Sequence, residues 1–429
     1  MRLLKVFACL ALLTSTMLWA QSKDDIQERL KANEERIKAL ESEIKDLKAI
    51  LAAVARNVPT APVLQGVEPQ APPPAQLPPT PQTIPTTPTL SGESAGQIPV
   101  YGGSSAAAKA LNPDISVIGD FLGSIGRNPL NPVPTLEMHE SEVGFQAIVD
   151  PYARADFFLS FGEEGVNLEE GFLTFTSLPA GLVVRAGKMR AAFGKVNTLH
   201  NHVLPWTDRP LVTGSLVGGE DGINDAGLSV TRILPAPRDI LLEGTLQVFR
   251  GDSADVFKSS RNRDVSLVGH LRGYRDLTES TNLDLGLSYA RGHNELGSGF
   301  LTQLYGMDAT VHWKPLRRAI YHSFVGRTEL IWSQRQQTGN VQRAFGLYTS
   351  GDYQLARRWF IGGRYDRSAR SNNANLIDSG FSTILTYWPS EFSQIRGQYR
   401  FAHYAEGRDG NELRFQLQFS LGAHGAHPF

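Results

Sequence analysis

Cysteine is almost missing from this sequence. The single one, Cys9, sits inside an N-terminal apolar run, so the rest of the chain has no disulfide or cysteine–metal framework. Long apolar runs are missing as well. Beyond the N-terminus no stretch stays apolar for the ~18 residues that a membrane helix needs. Charge excess is absent: 42 Lys and Arg stand against 43 Asp and Glu, which gives no argument for a nucleic-acid partner. The sequence also lacks a G-x-S-x-G elbow, a P-loop and an H-E-x-x-H helix. Nothing pairs a serine with a histidine, so a barrel-embedded enzyme has no support, and no cofactor is implied.

What is present falls into four segments. Residues 1–20 read as a secretory signal: Arg2 and Lys5 precede the apolar run Leu3 to Leu13, and Leu18-Trp19-Ala20 closes it before Gln21. Residues 21–56 read as a periplasmic coiled coil. Leu30, Ile37, Ile44 and Leu51 take one core position, and Ile26, Asn33, Leu40, Leu47 and Val54 take the other. A lone amphipathic surface helix is the alternative, and the pattern does not separate dimer from trimer. Residues 57–112 are a Pro-rich linker in which Pro72-Pro73-Pro74, Pro78-Pro79, Pro81, Pro85 and Pro88 favour extended geometry. Such a stalk could reach peptidoglycan, or serve only as a tether.

From 113 to 429 the pattern is that of strands. In Asn411 to Leu421, Leu413, Phe415, Leu417, Phe419 and Leu421 alternate with Glu412, Arg414, Gln416, Gln418 and Ser420. Successive side chains of a strand point to opposite faces, so one face is wholly apolar and the other wholly polar. About sixteen such segments recur, beginning at Ile115 to Leu122, and charges keep to the polar face. The expected fold is all-β: a transmembrane antiparallel barrel, apolar toward lipid and polar toward a lumen. The first and last strands are expected to pair and close it. Trp313, Trp332, Trp359, Trp388 and Tyr387 are expected in interfacial aromatic girdles. Ser253 to Arg263, His293 to Gln303, Ser368 to Ile377 and Ala405 to Gly410 read as longer polar loops on the outer side.

The strand series breaks once, from Met189 to Asp225. A long loop with aromatics and both signs of charge points to a constriction folded into the lumen; an outward surface loop is the alternative. The candidate pore-lining and constriction residues are Arg154, Asp156, Arg185, Lys188, Arg190, His200, His202, Asp208, Arg209, Glu220, Asp221, Arg327, Arg396, Arg400 and Arg414. Arginine slightly predominates, notably in the last two strands, which points to an anion preference. His200 and His202, with His424 and His427, are candidate metal ligands by residue type alone, without four obvious donors at either place.

Three stretches, NPDISVIGDFL at 112–122, GFQAIVDPYARADFFLSF at 144–161 and EEGFLTFTSLPAGLVVRAGKMRAAFGKVN at 169–197, resemble outer-membrane porins. The style is nearest to the phosphate-selective OprO/OprP-like superfamily, where a Gly-Lys strand end such as Gly187-Lys188 precedes a constriction loop. The tail, Gly422 to Phe429, resembles that of zinc-regulated outer-membrane receptor proteins. The porin resemblance implies a homotrimeric channel in outer-membrane lipid that passes small hydrophilic solutes. A zinc- or metal-related outer-membrane receptor is the alternative.

Overall fold

The residues that alternate in the last strand are placed inside out relative to a water-soluble sheet. Leu413, Phe415, Leu417, Phe419 and Leu421 are all exposed, while Glu412, Arg414, Gln416, Gln418 and Ser420 are buried. Turning apolar surface outward on this scale is stable only where the surroundings are not water. The computed structural model describes residues 113–162, 165–237 and 239–422. The expected signal, coiled coil and linker lie outside the described residues, as do His424, His427 and Phe429.

Sixteen strands follow in chain order: β1 (Asp114–Arg127), β2 (Leu136–Asp150), β3 (Ala153–Gly162), β4 (Gly165–Phe175), β5 (Leu182–Arg190), β6 (Asn224–Leu234), β7 (Leu241–Phe249) and β8 (Ser266–Thr278), then β9 (Thr281–Asn294), β10 (Gly297–Trp313), β11 (Phe324–Gln337), β12 (Asn340–Ala356), β13 (Trp359–Ala369), β14 (Ile377–Ser390), β15 (Ser393–Tyr404) and β16 (Arg408–Gly422). Each pairs antiparallel with its sequence neighbour, and β1 pairs with β16 from Ser116↔Gly422 to Arg127↔Asn411. Closure leaves no unpaired edge, which in a membrane would strand backbone polar groups without partners. The wall is uneven. Strands β3 to β7 run 9–11 residues, about the minimum that spans a bilayer, whereas β10 and β12 run 17.

Two rows of outward aromatics bracket the apolar band. Register places Tyr289, Tyr305, Trp332 and Phe345 side by side across β9 to β12. Trp313, Phe324 and Tyr353 form a second row on β10 to β12, and Trp359 lies tilted against Tyr387 at 4.5 Å further round. Along β11 the rows are separated by the stretch from Phe324 to Trp332, ~26 Å at the usual strand rise, which matches the ~25 Å lipid band of such barrels.

Two expectations change. Trp388 does not join the aromatic rows; it is buried on the inward face, because it stands one position out of phase with Tyr387. The expected loop His293 to Gln303 is mostly strand, since β9 runs to Asn294 and β10 starts at Gly297. Its polarity belongs to wall that continues past the apolar band, and the chain reverses at Glu295-Leu296, where the Asn294 side chain accepts from Leu296 N–H at 3.0 Å.

Candidate functional site

The long break folds into the barrel. β5 ends at Arg190 and β6 begins at Asn224, so the connecting loop is 191–223. Asn197 ties its two ends together: its Nδ2 donates to Ala191 O (2.8 Å) and Ile223 O (3.1 Å), and its Oδ1 accepts from Ile223 N–H (2.8 Å). The approach needs glycine twice. Gly222 has φ +62°, and a Cβ there would lie 2.0 Å from Asn197 Oδ1. Gly194 has φ +61°, and a Cβ would lie 2.8 Å from Glu329 Oε2 on β11. A side chain at either position meets both a left-handed backbone and a collision.

An apolar stripe seats the loop. Phe193, Val196, Leu204, Trp206, Val212, Leu216 and Val217 are almost fully buried. They pack in one cluster with inward residues of the wall, including Phe249, Val268, Leu304, Ile331, Tyr348 and Ile384. Trp206 is held edge-on to Tyr348 at 5.2 Å, with the Arg364 guanidinium 4.8 Å from its ring. Backbone donors of the loop are then matched to wall acceptors: Ala192 N–H to Gln247 on β7, Gly194 N–H to Ser288 on β9, and Lys195 and Val196 N–H to Glu329 on β11. Lys195 Nζ adds Asp284 on β9 at 3.1 Å. The loop is thereby attached around most of the wall, and every strand turns at least one buried polar or charged side chain inward. A cavity of about 510 Å³ lies beside it, lined by Leu216, Arg335, Arg370, Asp378, Tyr404 and Glu406 among others.

Two ends of the loop meet walls of opposite charge. At the first, His200 is clamped by glutamates of β2 and β4. Its Nδ1 lies 2.6 Å from Glu142 and 3.2 Å from Glu169, and its Nε2 lies 2.7 Å from Glu170. Burial alone would push the imidazole down, but the charge of Glu142 and the hydrogen bonds that His200 donates to all three carboxylates hold it well above its ordinary value. His202 stands alongside, ring to ring at 5.7 Å, with Nδ1 3.5 Å from Glu142. Arg190 joins from β5, pairing with Glu169 at 3.1 Å and donating to the carbonyls of Glu220 and Asp221.

At the second end, Asp208 reaches an arginine face on β13 and β15. Arg364 donates to its backbone O (2.8 Å) and Oδ2 (3.0 Å), Arg400 pairs with Oδ2 (3.2 Å), and Gln398 donates to Oδ1 (2.6 Å). Burial would raise this carboxyl, yet Arg364, Arg400 and Arg414 hold it well below the usual carboxylate range. Thr207 N–H donates to Gln398 and Leu211 N–H to Asp366, which fixes the backbone on both sides of the ion pairs.

The remaining candidates are scattered. Arg209 is an internal brace of the loop, donating to Asn201 Oδ1 and to the carbonyls of Val196 and Leu199. Arg154 pairs with Asp156 at 2.8 Å, Arg327 with Asp352 at 2.6 Å, and Arg185 lies over the Phe172 ring. Arg400 and Arg414 share Glu412, while Arg396 donates to the neutral Thr386 and Gln416. Glu220 and Asp221 expose their side chains and contribute only carbonyls. Lys188 is in register with Gly171 and the exposed Ala226 and donates to Leu168 O, on the outward face. It stands three residues from Arg185, and positions three apart on a strand face opposite ways.

Sequence reasoning passed over Glu140, Glu142 and Glu169, and the apolar seat. A signal for the seat exists. Val248-Phe249, Leu267-Val268, Ile331-Trp332 and Ile384-Leu385 are neighbouring apolar pairs. In a wall with a purely hydrated lumen, one member of each would be misplaced; here each inward member joins the buried cluster that includes the loop's apolar residues.

Known proteins compare as follows. No family model matches the chain. An uncharacterized protein of Aquifex aeolicus is 28% identical, with 77% of this chain and 82% of that protein covered. Among solved structures, OmpF of Salmonella typhi, in a complex with daunomycin, is similar at TM-score 0.51 and 9% identity, covering 75% of this chain and all of that one. The outer membrane channel DcaP of Acinetobacter baumannii follows at TM-score 0.50 and 12% identity, with 75% and 100% covered. OprB of Pseudomonas putida gives TM-score 0.50 and 6% identity, with 73% and 95% covered. The barrel therefore has the porin fold.

Proposed function

We propose that the protein is a passive outer-membrane channel for small hydrophilic solutes, with loop 191–223 as its constriction. The observation that carries this reading is the loop strung between the glutamates of β2 and β4 and the arginines of β13 and β15 inside a closed barrel with an apolar exterior. A solute that passes between such walls crosses a transverse field, and ordered polar groups replace part of its water. The polar lining is packed, so the passage is narrow and favours small solutes. Homotrimeric assembly and an N-terminal stalk toward peptidoglycan belong to the same proposal. So does an anion preference, whose remaining support is Arg396, bonded to neutral partners, and not Arg400 or Arg414, which sit on Glu412.

Planar-bilayer recording tests the reading. The native protein should give small conductance steps closing in threes, and Trp206→Ala, which removes the loop's largest buried side chain, should enlarge them severalfold. Absence of conductance from both proteins overturns the channel. A cation-selective reversal potential in a salt gradient overturns the anion preference alone.

A further inference from the structure

The glutamate end of the loop concentrates negative charge. Glu140, Glu142, Glu169 and Glu170 bring four carboxylates to one place, beside the guanidinium groups of Arg190 and Arg209 and the imidazoles of His200 and His202. One oxygen from each of Glu140, Glu142 and Glu169 lies within 4.8 Å of the others, and so does the set Glu142, His200 and His202. Glu140 is 7% exposed and turns into this cluster an Oε2 with no hydrogen-bond partner in the protein. Buried carboxylates this close need a shared proton or a cation between them.

Two spacings suit a shared cation: His200 Nδ1 to Glu169 is 3.2 Å and His202 Nδ1 to Glu142 is 3.5 Å. The third, His200 Nδ1 to Glu142 at 2.6 Å, is a hydrogen bond that metal binding would open by a few tenths of an ångström. Donors on a tetrahedral metal at the usual zinc–ligand length are about 3.3 Å apart. His200 is also oriented as metal-bound histidines are: its far nitrogen, Nε2, is held by the Glu170 carboxylate at 2.7 Å, which leaves Nδ1 directed at the cluster. Mixed imidazole and carboxylate donors suit a borderline transition metal better than Ca²⁺ or Mg²⁺.

We propose that Glu142, His200 and His202, completed by Glu140 or Glu169, bind one divalent transition-metal ion and that the ion fastens loop 191–223 to β2 and β4. Binding forms bonds from His200 Nδ1, His202 Nδ1 and the carboxylate oxygens to the metal. The proton on His200 Nδ1 leaves to solvent, and Nε2–H stays on Glu170. No redox step is involved. The inference stands apart from the channel reading, since a plugged, non-conducting barrel would hold the same site.

The test is Co²⁺ absorption and Zn²⁺ calorimetry on the metal-stripped full chain in detergent micelles. The expected result is one Co²⁺ per chain with visible bands, displaced by Zn²⁺. Glu142→Gln and His202→Gln should each weaken binding at least tenfold. Glu170→Gln, which leaves every proposed ligand in place, should weaken it ~10–100-fold, as loss of an orienting partner does. His424→Ala/His427→Ala should bind as the native chain does. Heat-modifiable migration of each variant shows that the barrel has formed. No saturable binding to the native chain overturns the proposal and leaves a shared proton as the balance. Binding that survives Glu142→Gln, or that disappears only in the tail variant, overturns it as well.

Discussion

The two ends of loop 191–223 are fastened by opposite chemistry. At the arginine end a single loop carboxylate, Asp208, bridges Arg364 and Arg400, which also pair with Asp366 and Glu412 of the wall. At the glutamate end a single loop imidazole, His200, satisfies three carboxylates. The consequences of losing the loop's contribution differ. Guanidinium groups stay charged at any accessible pH, so without Asp208 the two buried cations keep one wall carboxylate each, Asp366 and Glu412, but lose the anion that bridges them. Carboxylates can take up protons, so the glutamate end has a way to relax. The arginine end is therefore the mechanical anchor, and the glutamate end is the adjustable one.

The largest expected effect tests the anchor directly. Asp208→Asn should cost about 3–5 kcal/mol, the range for removing one member of a buried ion pair, read by denaturant unfolding in lipid vesicles. A loss no larger than that of a surface pair would reverse the assignment of the two ends. On the metal-free protein, His200→Gln should cost less, about 1–3 kcal/mol, because the amide keeps some hydrogen bonds and the glutamates can protonate. If it proves the more damaging of the two, the comparison fails.

Gly194→Ala tests a third attachment, which precedes both ends in the chain and rests on Glu329 of β11. Left-handed backbone costs about 1–2 kcal/mol for a residue with a Cβ, and the collision with Glu329 displaces that carboxylate from the backbone donors of Lys195 and Val196. The expected readout is a noisier open channel with the barrel intact.

Acid should separate the ends with little effect on the anchor. Asp208 is held below its unfolded value of ~3.9. Its contribution is therefore full above about pH 5 and is lost only as the pH falls through the lower folded value. The fluorescence of Trp206, isolated as the difference from Trp206→Phe, should stay constant from pH 7 to about 4.5. A midpoint inside that window would show that the arginines do not control this carboxyl. The smallest effect belongs to the outer rim. Arg370 bonds Glu406 in the open and keeps the buried Asp378 without it, so Glu406→Gln should leave unfolding unchanged.

Much of the wall was legible because a strand writes its two environments directly into alternate residues. Leu413 to Leu421 and Tyr305 to Trp313 carry both faces in the order of their residues, and pairing of neighbouring strands follows from short turns. The errors have the same origin. Trp388 reads as a rim aromatic from its place near a strand end, yet its phase against Tyr387 places it inside. Arg185 and Lys188 both read as lumen candidates by charge, yet three residues separate them and they face opposite ways. At the site, His200 and Asp208 stood out by residue type, but their partners did not. Glu142 is 58 residues from His200, and Gln398 is 190 from Asp208. No local pattern encodes contacts of that span.

The sequence by itself determined the alternation, the approximate number of strands and the place where the series breaks, since each depends on local phase; the closed structure fixed the count at sixteen. Which face of each strand meets the loop, and which charges end up paired, only the closed barrel decided. Closure brings β2, β4, β13 and β15 around one lumen. Inside it, burial rewards every loop donor and charge that finds a wall partner and penalises those that do not, and so selects one seating for residues 191–223.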